Sequence, residues 1–374
     1  MKKPPHVTSG PYAPPTPAHD LIVTSADGSR LYVEAHGPVG APTVVLAHGW
    51  TCSTAFWAPV VRELAADHRV IVYDQRGHGR SPAPGPGGYT THALADDLVA
   101  VLEQALPSGE RAVVAGHSMG GMTLLAAAGR PQLRERAAAV VLCSTGASRL
   151  VEQARVVPLR SARVRTRMQR AILGSRAPLG PVTPLGKRLL HYGTLGPGAD
   201  PAMVEACARI VHACPRRVRA AWAQVLDELD LEAGMAQLTM PAAVIVGTAD
   251  RLTPPAHAQA LAAGLPHCTG LTELPGLGHM TPVEGPAAVA GVIRDLVTSY
   301  ANPAATAQEP PTPPAASTAP AASTAPAAST APAEATAPAA STAPAEATAP
   351  AASIAQAAPT AQAAPIAQAE EQTT

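Results

Sequence analysis

Five short apolar runs constrain the fold more than any other feature of this chain: Thr43–Ala47, Val70–Tyr73, Ala112–Ala115, Ala139–Cys143 and Ala243–Val246. Each is four or five residues long, rich in Val with some Ile, and apolar apart from the leading Thr43 rather than alternating. That is the pattern of strands buried on both faces of a parallel sheet. Helical stretches lie between them, at Ala58–Ala66, His92–Leu106 and Met119–Gly129, and Ala287–Tyr300 follows a last apparent strand at Thr269–Leu274. Leu21–Val23 and Leu31–Glu34 flank Asp27-Gly28, which predicts an opening hairpin. A hairpin followed by strand–helix units predicts an α/β fold, a mostly parallel central sheet with helices on both faces. In such sheets ligands sit at the carboxyl ends of the strands.

The alternation breaks at about 147–238, where 14 Arg or Lys stand against 7 Asp or Glu and segments such as Met203–Ala213 and Val218–Leu229 have helical spacing. This stretch reads as an inserted helical lid covering the sheet edge, its arginines forming a solvated face. Residues 1–20 hold two lysines and several prolines but no apolar run of signal-peptide length, and read as a disordered start. From Pro314 to Pro350 proline recurs every six residues amid Ala, Ser and Thr. A tract of that composition buries too little to offset its ordering entropy, so 303–374 is expected to be a disordered spacer, leaving 21–302 as the folded domain.

Charge excludes one class of partner. Residues 1–302 carry 27 basic and 22 acidic side chains, too mild an excess for a nucleic-acid binder. No run approaches membrane-span length. Five cysteines, at 52, 143, 207, 214 and 268, are scattered with no CxxC, which fits a cytoplasmic chain better than a disulfide framework or a zinc site.

Residues Gly116-His-Ser-Met-Gly-Gly121 follow one buried strand and open a helix. Glycines there let strand and helix approach closely, a tight turn lifts the Ser118 hydroxyl out of the sheet, and the Met119 N–H at the helix start is oriented toward a developing oxyanion. Serine needs a base. His279, in the glycine-rich loop Leu274-Pro-Gly-Leu-Gly-His279, is one candidate; His257, in a helical stretch, and His267, ahead of the last strand, compete with it. Asp250, just past the strand Ala243–Val246, could orient an imidazole or simply form a turn. The order Ser118, Asp250, His279 is one of the chain orders in which this triad occurs. Trp50, in the loop His48-Gly49-Trp50 after another strand, offers a second backbone N–H.

With these pieces in view the chain resembles the α/β-hydrolase fold family, in its branch of cap-domain esterases and lipases. The resemblance covers about residues 20–300. It rests on His48-Gly49-Trp50, Asp74-Gln-Arg-Gly-His-Gly-Arg-Ser81, Gly116–Gly121, Gly247-Thr-Ala-Asp250 and Gly278-His279, in family order. It implies Ser118 as nucleophile, Asp250 as orienting acid, His279 as base, and Trp50 and Met119 as oxyanion donors. It implies no cofactor and no metal, a small-molecule ester or acyl substrate, and a structural role for Asp74, Arg76 and His78. Thioester, carbon–carbon or perhydrolase chemistry on the same machinery, and a non-catalytic binder on the same scaffold, remain as alternatives.

Overall fold

The computed structural model describes residues 7–177, 179 and 182–301. Strands β1 (His19–Thr24) and β2 (Arg30–His36) pair antiparallel around Asp27-Gly28. Gly28 adopts φ 80°, a conformation that suits glycine, and the Asp27 carboxylate accepts from Ser29 N. Then come β3 (Thr43–Ala47), β4 (Arg69–Tyr73), β5 (Ala112–His117), β6 (Ala137–Cys143), β7 (Ala242–Gly247) and β8 (Cys268–Leu274). They form one eight-stranded sheet in the order β1-β2-β4-β3-β5-β6-β7-β8. Only the pairings of β2 with β1 and with β4 are antiparallel.

Every residue of β3, β5, β6 and β7 is buried, so their uninterrupted apolar character has a direct cause: both faces are covered. Val45, Ala47 and Val114 point into one apolar cluster, packed under helices α2 (Thr91–Ala105), α3 (Met119–Ala127) and α4 (Pro131–Arg136). Val44, Leu46, Val113 and Ala115 point into a second, beneath α1 (Ala58–Leu64). This is the two-residue period of a strand read out as two cores.

Between β6 and β7 the chain runs through α5 (Leu150–Gln153), α6 (Ala162–Leu173), α7 (Pro184–Thr194), α8 (Pro201–Ala213), α9 (Arg216–Asp227) and α10 (Glu232–Gln237). Thr183 and Asp200 cap α7 and α8 by accepting from Gly186 N and Met203 N, each with proline in the first turn. Trp222 and Val218 of α9 pack on Met119, Met122 and Leu94, which seats this insertion on the strand ends. After β7 come α11 (Pro255–Gly264), α12 (Thr281–Glu284) and α13 (Pro286–Leu296), the last continuing as a π-turn over Val297–Ala301.

The start of the chain departs from expectation. From residue 7 it is laid against the domain: Ala13 is buried, Arg62 donates to Ala13 O, Tyr12 donates to Asp200, and β1 begins at His19. Those partners lie 49 and 188 residues away, so no local reading exposes them. The expected spacer at 303–374 lies outside the described residues.

Candidate active site

β5 ends at His117, and Ser118 is the next residue, with φ 52° and ψ −117°. An L-residue there is strained, and the structure over-determines it. Ser118 N donates to Cys143 O at 2.9 Å, while Ser118 O accepts from Thr145 Oγ1 at 2.7 Å and Met122 N at 3.1 Å. A side chain at Gly116 would meet the backbone of Gly120, and one at Gly120 would meet that of Ala47. The turn therefore needs glycine at both positions. Thr51, beside Trp50, has φ 63°, so strain is held on two sides of one cavity.

That cavity has a volume of about 710 Å³ and is walled mainly by aliphatic side chains of α5 to α9. Ser118, His279 and Trp50 all line it, whereas Asp250 lies buried behind His279. His279 Nδ1 donates to Asp250 Oδ2 at 2.8 Å. The carboxylate is held from every side: its Oδ1 accepts from Leu252 N and Thr253 N, and its Oδ2 also accepts from Thr253 Oγ1. With Nδ1 carrying the proton, Nε2 is the nitrogen left to accept one. Among the hydrogen bonds of the described residues none joins Ser118 Oγ to this ring, a bond that often tightens only when substrate binds. Met119 is the first residue of α3, where the N–H has no partner in the helix. Among the described residues Trp50 N also donates to nothing, while its indole N–H donates to Arg219 O of α9 at 3.0 Å.

The competing histidines lie elsewhere. His257 is buried in α11 and His267 immediately precedes β8; neither lines the cavity. Cys52 does line it, but burial raises its thiol well above the ordinary range, so it is protonated and a poor nucleophile.

Three neighbours of the site give little sign of themselves in the sequence. His117 packs between Phe56 and His279 with ring centroids 4.5 and 4.9 Å away, and its Nε2 lies 2.8 Å from His279 O. Burial, reinforced by His279, holds it far below the usual imidazole range, so the neutral ring donates to that carbonyl. Thr253 braces Asp250 as described. Glu284 of α12 accepts from Gly278 N, Met280 N and Gly196 N, tying the His279 loop to the chain after α7. Burial pushes its carboxyl up, opposed by those three N–H groups. His279 N and Met280 N donate in turn to Thr194 O, the last residue of α7. Of the three, only His117 had a signal, its place beside the serine.

Beneath the Trp50 loop lies a buried polar frame. Asp74 accepts from Thr54 N and Arg80 N, at 2.7 and 2.8 Å. Arg76 makes a two-pronged ion pair with Asp97, at 2.6 and 2.5 Å. His78 Nε2 accepts from Thr51 N, and His48 accepts from Gln75 N while its Nδ1 donates to Gly49 O. Burial, with a smaller contribution from His78, pushes the His48 pKa from 6.5 down to about 3. The unfolded chain thus binds a proton across that window which the folded chain does not, and the stability His48 confers above pH 6.5 is lost as pH falls toward 3. His48→Gln keeps one donor and one acceptor but cannot titrate. The stability margin of wild type over this variant should be level well above pH 6.5 and shrink below it, at a slope that approaches about 1.4 kcal/mol per pH unit. Urea denaturation from about pH 7 to about pH 5 reads this, and a margin that stays flat would mean an unshifted ring.

Comparison with known proteins adds a lineage to this geometry. The model of the Alpha/beta hydrolase family matches residues 44–292. A Variovorax paradoxus protein carrying the name carbamate hydrolase RutD is 32% identical over 251 residues, covering 67% of this chain and 89% of its own. Among solved structures, a thermophilic esterase from Thermogutta terrifontis is similar at 26% identity and TM-score 0.62, over 76% of this chain and 100% of its own. The enol-lactonase from Burkholderia xenovorans LB400 is similar at 26% identity and TM-score 0.58, over 74% and 100%.

Proposed function

Because the chain belongs to the alpha/beta hydrolase family, we propose that it is a serine hydrolase that cleaves carboxylic esters through an acyl-enzyme. The observation that carries this reading is the 2.8 Å bond from His279 Nδ1 to Asp250 Oδ2, behind a cavity that Ser118 and His279 line together. Ser118 Oγ attacks the ester carbonyl as His279 Nε2 takes its proton, and Asp250 stabilises the imidazolium. The oxyanion is received by the N–H groups of Met119 and Trp50, a contribution worth about a hundredfold or more per donor. His279 then returns the proton to the departing alkoxide; water attacks the acyl carbon as His279 Nε2 takes its proton, and that proton passes to Ser118 Oγ as the acid leaves. The helices between β6 and β7 serve as the lid, and their aliphatic walls suit an apolar acyl or alcohol group. Five free, mostly buried cysteines support a cytoplasmic location.

The test is hydrolysis of p-nitrophenyl esters of increasing acyl length, together with labelling by a fluorophosphonate. Turnover with a preference for medium chains over acetate, and labelling that a competing ester suppresses, are expected. Labelling without ester turnover would move the reading to thioester, carbon–carbon or perhydrolase chemistry. Absence of both would mark a binding protein on this scaffold.

A further inference from the structure

Between Glu152 and Asp200 the chain holds eight arginines and Lys187 but no acidic residue. The structure places most of them on or beside α6 and α7, where a second property coincides. Among the described residues eleven large hydrophobic side chains are exposed, and eight of them fall between Leu159 and Tyr192. Val164, Met168 and Ile172 repeat at the four-residue spacing that stacks side chains along one face of α6, and Leu185 and Leu189 do so on α7. Leu185 and Leu189 are 67% and 64% exposed. A solvated arginine face, the expectation from sequence, accounts for the cations but not for these apolar residues. Arg170 and Lys187 are paired with Asp227 and Glu205, whereas Arg163, Arg167 and Arg188 form no ion pair among the described residues.

The apolar face is also continuous with the cavity. Ile172, Leu189 and Tyr192 are exposed and line it too, which puts them at its rim. Arg163 and Arg167 border a shallow hollow with Val164 and Met168, so cations and apolar groups are interleaved.

We propose that the α6–α7 face docks this protein on an anionic lipid surface, with the cavity mouth turned toward the bilayer. Charge decides among occupants. A second copy of the same face would set cation against cation, and a nucleic acid would leave the apolar stripes in water. An anionic bilayer matches both properties at once, headgroups meeting the arginines and the acyl boundary receiving the leucines. No helix among the described residues is long and apolar enough to cross a membrane. The inference goes beyond the catalytic reading and does not depend on it.

The test is co-sedimentation of the full-length protein with vesicles of phosphatidylglycerol mixed with phosphatidylcholine, against phosphatidylcholine alone. One variant combines Val164→Ser, Met168→Ser and Leu185→Ser; another combines Arg163→Glu and Arg167→Glu. None of these residues lines the cavity. Wild type should bind the anionic vesicles and not the neutral ones, and each variant should partition about tenfold more weakly or worse. Added salt should weaken wild-type binding further. Both variants should hydrolyse a short, water-soluble ester at the wild-type rate, which confirms folding and separates docking from chemistry. Failure to bind anionic vesicles, equal binding to neutral ones, or undiminished binding by both variants would overturn the proposal. So would concentration-dependent dimerisation that the serine variant abolishes, since that makes a second copy the occupant. Vesicle binding with no ester turnover would count against the catalytic reading alone.

Discussion

Ser118→Ala is expected to lower kcat on esters by on the order of 10⁵-fold or more and to abolish fluorophosphonate labelling, with the thermal midpoint close to wild type. Among the described residues its side chain makes no hydrogen bond that holds the fold; it is the backbone of residue 118 that bonds Cys143, Thr145 and Met122. Ser118→Gly separates the two roles further. At φ 52° and ψ −117° an L-residue is strained by about 1–3 kcal/mol, and glycine escapes that strain at an entropic cost of up to about 1 kcal/mol. The glycine variant should therefore be as inactive as the alanine one yet unfold at higher urea. An alanine variant within tenfold of wild-type turnover would mean that the nucleophile is another residue.

Asp250→Asn carries the second large effect, a fall in kcat of about 10⁴-fold with KM little changed. The reason lies in the donors around it. Both carboxylate oxygens are ringed by hydrogen-bond donors: two backbone N–H groups on Oδ1, the Thr253 hydroxyl and the His279 ring on Oδ2. Asparagine must turn its NH₂ toward one pair. Facing Leu252 N and Thr253 N it opposes two donors that cannot rotate away. Facing His279 it makes Nδ1 the acceptor, which moves the ring proton to Nε2 and disables the base. Steady-state kinetics against a soluble ester measures this, and a loss below about tenfold would mean that His279 does not act through Asp250.

Why are the positions of Ser118, Asp250 and His279 in the fold legible from the sequence? Each follows a short buried strand or a glycine-rich turn, and a strand that is apolar on both faces announces where it stops. The five apolar runs became β3 to β7 with edges shifted by at most two residues. Other features depend on partners remote in sequence. Glu284 reaches back 88 residues to Gly196, and Tyr12 reaches forward to Asp200, so neither left a local pattern. The segment around α6 shows a different failure. Its composition told of arginine, and arginine by itself implies solvent; the accompanying Val164, Met168 and Ile172 look like core residues until the fold leaves them uncovered.

One linkage at the end of α7 limits how this protein can admit a guest. The carbonyl of Thr194 holds His279 N and Met280 N, and the Gly196 amide is fastened to Glu284, which also grips Gly278. Were the roof to hinge at that corner, it would drag the imidazole off its carboxylate with every opening. Entry is then left to the rim, where Ile172, Leu189 and Tyr192 are both exposed and part of the cavity wall. If Ser118 and His279 act as proposed, a bulky product would leave by that rim with the bond from His279 to Asp250 undisturbed.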